Sequence, residues 1–211
     1  MSVPFAKDKL AGRRRQQIIE GARICFARTG FHAATVEDLE RACGLTRGTL
    51  FKYFRSKADM LSAVVAQEME RRKHLFERLI KMAQSLQSLD TLIAAVVTEQ
   101  RMLSREDPWG LRLRLELKSL SETDPELGLQ IDTDERNLRK WRRELIARLQ
   151  QQGMIHPEWD VEVVTDLISV LILGLSVESS YALPRKASDV GFAETCARIL
   201  ARSLSEPPGP D

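Results

Sequence analysis

Residues 35–61 read TVEDLERACGLTRGTLFKYFRSKADML, and the order of caps and turns in this stretch decides the fold. Thr35 with Asp38 three residues on has the pattern of a capping box with Asp in place of Glu, and Glu37 and Asp38 suit the positive end of a helix dipole. Val36, Leu39 and Cys43 then share one face. Gly44 ends that helix, because a glycine just past the last turn takes the left-handed conformation that other residues avoid. Thr46 opens the next helix as its N-cap. Two short helices joined by a tight glycine turn have the spacing of a helix-turn-helix. Ser56 with Asp59 caps a further, longer helix whose apolar positions are Leu61, Val64, Val65, Leu75 and Leu79.

Working outward, Ile18, Ile19, Ala22, Cys25 and Phe26 recur at helical spacing and stop at Thr29-Gly30, which supplies a helix before the pair. Downstream the pattern stays helical. A segment runs from Ser88 to Ser104, breaks at Asp107-Pro108, resumes to Ser121, breaks at Asp124-Pro125, and continues from Glu126 to Gln152 before Gly153. In LRLRLELK (111–118) leucine alternates with charge as in a half-buried strand, but the residues are helix formers and none is β-branched, so the reading is helix. Asp160 starts a helix that reaches Tyr181 and ends at Leu183-Pro184, and Ser188-Asp189 opens the last one, with Phe192, Cys196, Ile199 and Leu200 on one face. The tail, SEPPGPD, has the composition of a disordered segment. The expected fold class is all-α. A three-helix bundle with a helix-turn-helix occupies residues 1–58, a larger helical domain residues 59–205, and a disordered tail residues 206–211.

Charge is distributed unevenly along the 211 residues. The first 57 carry twelve cations against five anions, +7, so the net charge of +2 leaves −5 for the remainder. That asymmetry describes a basic module for a polyanion joined to an acidic body. Cys25, Cys43 and Cys196 are far apart and form no CxxC, which argues against a disulfide framework and for a reducing, cytoplasmic compartment. The N-terminus lacks the apolar core of a signal peptide, and the longest uncharged run, Leu167 to Val177, falls short of the roughly 20 residues that span a bilayer, so no membrane partner is expected. His32, His74 and His156 are isolated, and neither a GxSxG elbow nor a glycine-rich phosphate loop occurs. Neither catalysis nor a metal or other cofactor is expected.

The second helix of the pair has an inventory suited to nucleic acid. In a helix-turn-helix that helix enters the major groove with its N-terminal residues at base edges. Arg47 can pair with guanine O6 and N7, and Gly48 lets the backbone approach a base or a thymine methyl. Thr46, Thr49, Lys52, Tyr53 and Lys57 can hold phosphates. Leu50 and Phe54, four apart, are core positions.

The stretch from Thr35 to Leu61 resembles the TetR family of transcriptional regulators. The resemblance rests on the glycine turn, the Thr-x-Gly-Thr-Leu start of the recognition helix, the aromatic-x-aromatic-Phe end and the Ser-Lys that begins the next helix. It implies that Thr35 meets the DNA backbone, that Arg47, Gly48 and Thr49 sit at the groove, and that the helix start at Lys57 points at a phosphate. Two residues depart from the family pattern. Phe51 replaces a usual Tyr and loses a hydroxyl, leaving contact with a thymine methyl or sugar; Tyr53 stands where His is common and keeps a hydrogen-bonding tip. Thr35 and Thr46 would also act as caps in any protein. Glu37 reads first as a dipole-favouring surface acid, and Arg13, Arg14 and Arg15 either strengthen phosphate affinity as an N-terminal arm or are merely solvated.

For the body, the resemblance implies a divergent helical domain that binds a small molecule and dimerises. The apolar segment from Asp160 to Tyr181, with Ser169, Gly174 and Ser176 allowing close approach, agrees with a homodimer. Gln100, Met102, Trp109, Leu113 and Trp141 are candidates to line an effector pocket, with Arg112 or Arg114 as further polar handles; the leucine- and arginine-rich composition suits a hydrophobic or anionic effector. The expected function is a regulator, foremost a repressor, released from a palindromic double-stranded DNA operator by that effector. The alternative is a dimeric helical adaptor whose basic module grips an acidic protein; only groove readout would give it a preference for one duplex over another.

Overall fold

The computed structural model describes residues 4–85, 88–107, 109–180 and 189–209. Among these residues every regular element is a helix: α1 (Pro4–Thr29), α2 (Val36–Cys43), α3 (Arg47–Tyr53), α4 (Lys57–Ser85), α5 (Leu89–Glu106), α6 (Gly110–Ser121), α7 (Pro125–Gln151), α8 (Val161–Ser180) and α9 (Asp189–Ser205). The all-α reading holds, including LRLRLELK. As α6, that segment buries Leu113, Leu117 and Leu120 at helical spacing and leaves Leu115 exposed.

Helix ends follow the local chemistry. Ser88 accepts from the Thr91 amide to cap α5, Asp124 Oδ1 accepts from the Glu126 and Leu127 amides at 3.1 Å each to cap α7, and Asp160 Oδ1 accepts from the Glu162 amide at 2.6 Å to cap α8. Gly153 closes α7 with φ 72°. The breaks assigned to Pro108 and to Tyr181–Pro184 lie outside the described residues. At the C-terminus the Trp159 indole donates to the Glu206 carbonyl at 2.9 Å.

The chain forms two compact units, Met1–Arg71 with Arg112–Ile131, and Arg72–Leu111 with Asp132–Asp211. In the first, Ile18, Ala22, Phe26, Leu39, Leu50, Phe54, Leu61, Val64 and Val65 are buried, as anticipated for α1 to α3 and the start of α4, and Met60 joins them. This unit extends past residue 58 and takes in α6 from Arg112 on and α7 as far as Ile131. Further along α4, Leu75 and Leu79 are only half-buried and Phe76 is buried instead. In the second, Leu92, Ile93 and Val97 of α5 form one core with Ile146 and Leu149 of α7, Val164 of α8 and Ala197 and Leu204 of α9.

The crossing of α1 and α2 has no room for a side chain at Gly21. A β-carbon there would lie 2.6 Å from Cys43 Sγ and 2.7 Å from Cys43 Cα. Alanine would ordinarily improve a helix interior by about 1 kcal/mol, but a clash with backbone can be relieved only by moving α2. Gly21→Ala should therefore destabilise the protein, by about 1 to 3 kcal/mol, the usual range for overpacking. Chemical denaturation checks this, and a variant as stable as the parent would show that the helices separate without cost.

Candidate nucleic-acid interface

The interface is assembled from the end of α1 to the start of α4. Thr35 takes extended geometry at the α2 N-cap. Its Oγ1 accepts from the Asp38 amide at 3.1 Å while Asp38 Oδ2 accepts from the Thr35 amide at 3.1 Å, the reciprocal pair of a capping box. Asp38 also accepts from the Thr35 hydroxyl at 2.7 Å. These bonds from Thr35 hold the Asp38 carboxyl below its ordinary pKa, so the cap stays intact until the solution is more acidic than a free aspartate would require. Gly44 then adopts φ 63° and its amide donates to the Glu40 carbonyl, which turns the chain into α3.

At the start of α3 the structure differs from expectation in one bond. Thr46 is the N-cap by backbone, but its side chain makes no cap hydrogen bond; its hydroxyl pairs with that of Thr49 at 3.1 Å. Glu40 supplies the cap instead, its Oε1 accepting from the Arg47 amide at 2.5 Å. An anion at a helix N-terminus is favoured by the dipole, and this one ties α3 to the helix before it. Leu50 and Phe54 are buried and root α3 in the unit.

The opposite side of α3 is open. Thr46, Arg47, Gly48, Phe51 and Lys52 are exposed, and Thr49 and Tyr53 are half-buried. The Arg47 guanidinium lies over the Phe51 ring, 5.7 Å from its centre, a cation–π contact at the surface. A β-carbon at Gly48 would meet nothing within 4 Å. Packing therefore does not demand glycine there.

Lys57 behaves differently from the role its type suggests. Its ammonium donates to the carbonyls of Phe31 at 2.8 Å, Ala34 at 2.9 Å and His32 at 3.3 Å, and stands 4.7 Å from the centre of the Phe31 ring. An ammonium has three protons. All three acceptors are on the α1–α2 loop, so this side chain secures the loop. Glu116 of α6, which no local pattern singles out, holds the same loop by accepting from the Phe31 amide at 2.6 Å. The basic residues Arg13–Arg15 are exposed and continue α1 as helix.

Cys43 is buried where α2 meets α1, and its thiol donates to the Ile18 carbonyl at 3.6 Å. Burial pushes that thiol up to about 11, and burial likewise raises Cys25, so both are neutral packing groups near pH 7. Among the described residues no cluster of three metal-ligating side chains occurs, and no helix is long and apolar enough to cross a membrane.

The pocket candidates are more scattered. Leu113 is fully buried in the first unit, whereas Met102 on α5 in the second is 55% exposed. Trp141 stacks on Phe76 with ring centres 5.8 Å apart, and Gln100 and Trp109 are half-buried. Arg101 escapes a reading by periodicity because charge in a helical pattern reads as surface. Its side chain is buried, with the guanidinium over Phe192, 4.7 Å from the ring centre.

Comparisons with known proteins converge on this geometry. Residues 18–64 match the family model described as bacterial regulatory proteins, tetR family. The HTH-type transcriptional repressor AcnR of Corynebacterium efficiens is 32% identical over 154 residues, spanning 71% of this chain and 73% of that protein. The crystal structure of a TetR-family transcriptional regulator from Agrobacterium tumefaciens superposes with a TM-score of 0.71 at 16% identity, covering 93% of this chain and all of that one. FadR from Bacillus subtilis in complex with stearoyl-CoA superposes with a TM-score of 0.66 at 20% identity, covering 88% of this chain and 97% of that one. The chain belongs to the TetR family and is a helix-turn-helix, DNA-binding transcriptional regulator.

Proposed function

We propose that residues 1–58 read a palindromic operator through the outer face of α3, and that residues 59–205 dimerise the protein and bind a small-molecule effector that releases it from DNA. In this reading Arg47 pairs with a guanine, Gly48 lets the α3 backbone approach the bases, and Phe51 with its stacked Arg47 lies against a thymine methyl or sugar. Thr35, Thr46, Thr49, Lys52 and Tyr53 hold phosphates. At Lys57 the helix start serves, the ammonium being engaged with its own loop.

The observation that carries the reading is Gly48. Glycine within a helix costs about 0.5 to 1 kcal/mol relative to alanine, and here open space surrounds it. A residue that weakens its own helix and relieves no internal contact is explained by something outside the protein that must come close. Gly48→Ala should therefore raise thermal stability slightly and lower operator affinity, two effects of opposite sign. Arg47→Ala should cost about 1 to 3 kcal/mol of binding and relax the preference at one base pair. Fluorescence anisotropy with the gene's own upstream DNA and a scrambled duplex measures both. Equal binding of the two duplexes by the parent protein would favour the adaptor reading.

The effector half rests on the family and on the body's chemistry. A buried Arg101 gives the second unit a cationic group beside an aromatic ring, and a neighbour in fold holds stearoyl-CoA, an anion with an apolar chain. A hydrophobic anion suits this chain on the same grounds, with Gln100, Trp109 and Trp141 as candidate contacts. Such a ligand lowers DNA affinity only by binding one conformation better than the other. The dimer rests on α8 and α9. Val163, Leu167, Val170 and Gly174 fall at positions 0, 4, 7 and 11 along α8 and are all exposed, as is Ile199 on α9. A two-fold dimer would present one α3 helix to each half of a palindrome.

A further inference from the structure

Helix α3 is only seven residues long, and a helix that short takes its place from what surrounds it. Its C-terminal half is rooted, with Leu50 fully buried and Phe54, the C-cap, 2% exposed. The other end is not. Thr46, Arg47 and Gly48 are all exposed, and Gly48 adds backbone freedom at the residue next to Arg47. Apolar packing therefore leaves the turn that presents Arg47 undetermined, and hydrogen bonds must fix it.

Those bonds converge on one residue of α2. The Glu40 carbonyl accepts from the amides of Gly44 and, at 3.2 Å, Leu45, and its carboxylate accepts from the Arg47 amide at 2.5 Å. The two carbonyl bonds belong to the backbone and do not depend on the side chain. The carboxylate bond does, and the Thr46 side chain supplies no substitute for it. The cations beside Glu40 in the chain and at its hydrogen bond are turned elsewhere, Arg41 to Asp38 and the Arg47 guanidinium to the Phe51 ring. An anion left in this position, beside a face that meets a polyanion, opposes association with DNA. What accounts for it is the amide it holds.

We propose that Glu40 is a positioning residue for DNA recognition: by holding the first amide of α3 its carboxylate sets the pose in which Arg47 meets its base pair, and it does so although its charge weakens binding to any duplex. The inference rests on the DNA-reading role of α3 proposed above. It separates two quantities that a surface acid or a simple phosphate contact would move together, the preference between duplexes and the affinity for all of them.

The test uses the full chain with Glu40→Ala, Glu40→Gln and Glu40→Asp, each verified as folded by circular dichroism, and measures affinity for the upstream duplex and for a scrambled duplex. Glu40→Ala should bind the scrambled duplex more tightly, by roughly twofold, the size of one screened charge in water. Its preference for the upstream duplex should nevertheless fall by about tenfold, near the low end of what one base-specific pair is worth. Glu40→Gln keeps an acceptor at the same reach without the charge, so it should bind both duplexes more tightly and rescue the preference. Glu40→Asp keeps the charge and loses the reach, and should lose the preference as the alanine variant does. Hydrogen exchange of the Arg47 amide gives a reading without DNA: it should be about two- to tenfold faster in the alanine and aspartate variants than in the parent. Parent preference in Glu40→Ala or Glu40→Asp, equal loss of preference in the alanine and glutamine variants, or unchanged exchange at Arg47 overturns this inference alone, provided that Arg47→Ala still relaxes the preference. Absence of any preference in the parent protein overturns the reading of α3 and this inference with it.

Discussion

Val170→Asp is expected to turn the protein into monomers and to weaken operator binding by about 10²- to 10⁴-fold, the gain that two linked half-site contacts give over one. Val170 is 68% exposed on α8, in the middle of the stripe that also exposes Val163, Leu167 and Gly174. A contiguous apolar strip of this kind marks an association surface. A carboxylate placed there meets its own copy across a two-fold axis, so two like charges would be desolvated together. Because the side chain contributes little to the protomer's own core, the variant should keep its helical content by circular dichroism. Light scattering reads the mass and anisotropy reads the operator affinity. A variant that stays dimeric would place the association surface elsewhere, and a monomer with parent affinity would show that one recognition helix suffices.

Arg23→Ala is expected to lower stability by at most about 3 to 5 kcal/mol, the cost of breaking a buried ion pair from one side, since Arg71 stays within reach of Glu68. Arg23 on α1 is 3% exposed, and its Nε donates to Glu68 Oε1 of α4 at 2.5 Å while Nη1 reaches Glu20 at 3.4 Å. Arg71 closes the group from the surface, 2.6 Å from Glu20 and 3.3 Å from Glu68. The two arginines touch the same carboxylates, so burial decides their difference. Arg71 is 41% exposed, and its removal should cost about 1 kcal/mol or less. Replacing Arg23 and Glu68 together by Met and Leu should recover much of the loss, because no charge is then left buried. Urea denaturation of the three variants settles the order. Equal losses for Arg23→Ala and Arg71→Ala would mean that water reaches the inner pair.

What was legible in the sequence was local. The capping box at Thr35, the left-handed Gly44 and the start of α4 at Ser56 each involve residues within four positions of one another, so spacing alone carries them. The apolar faces of α1 to α3 and the start of α4 were legible for the same reason, since helical period and burial coincide there; later in α4 Phe76 is buried in place of the anticipated Leu75 and Leu79. What was not legible depends on chain segments that meet only in three dimensions. Lys57 looked like a phosphate contact because its type fits; the carbonyls it binds lie 23 to 26 residues earlier. Glu116 reaches Phe31 across 85 residues. Glu40 displaced Thr46 as the cap of α3 because a carboxylate seven residues before Arg47 is brought back by the Gly44 turn. Burial of Leu113 and exposure of Met102 likewise follow from how helices pack, which periodicity in a leucine-rich region does not resolve. Among the proposed contacts, Phe51 gains most from the structure. It is exposed, with the Arg47 guanidinium 5.7 Å from its ring centre, where the residue type alone offered only a missing hydroxyl.

The most direct test of the exposed face of α3 is selection of bound duplexes from a randomised DNA pool by the parent protein and by Arg47→Ala in parallel. The parent should enrich an inverted repeat with half-sites about one helical turn apart, and Arg47→Ala should lose the preference at one symmetric pair of positions within it. Enrichment of the same sequence by both proteins, or of none by the parent, would contradict the assignment of α3 as the element that reads DNA.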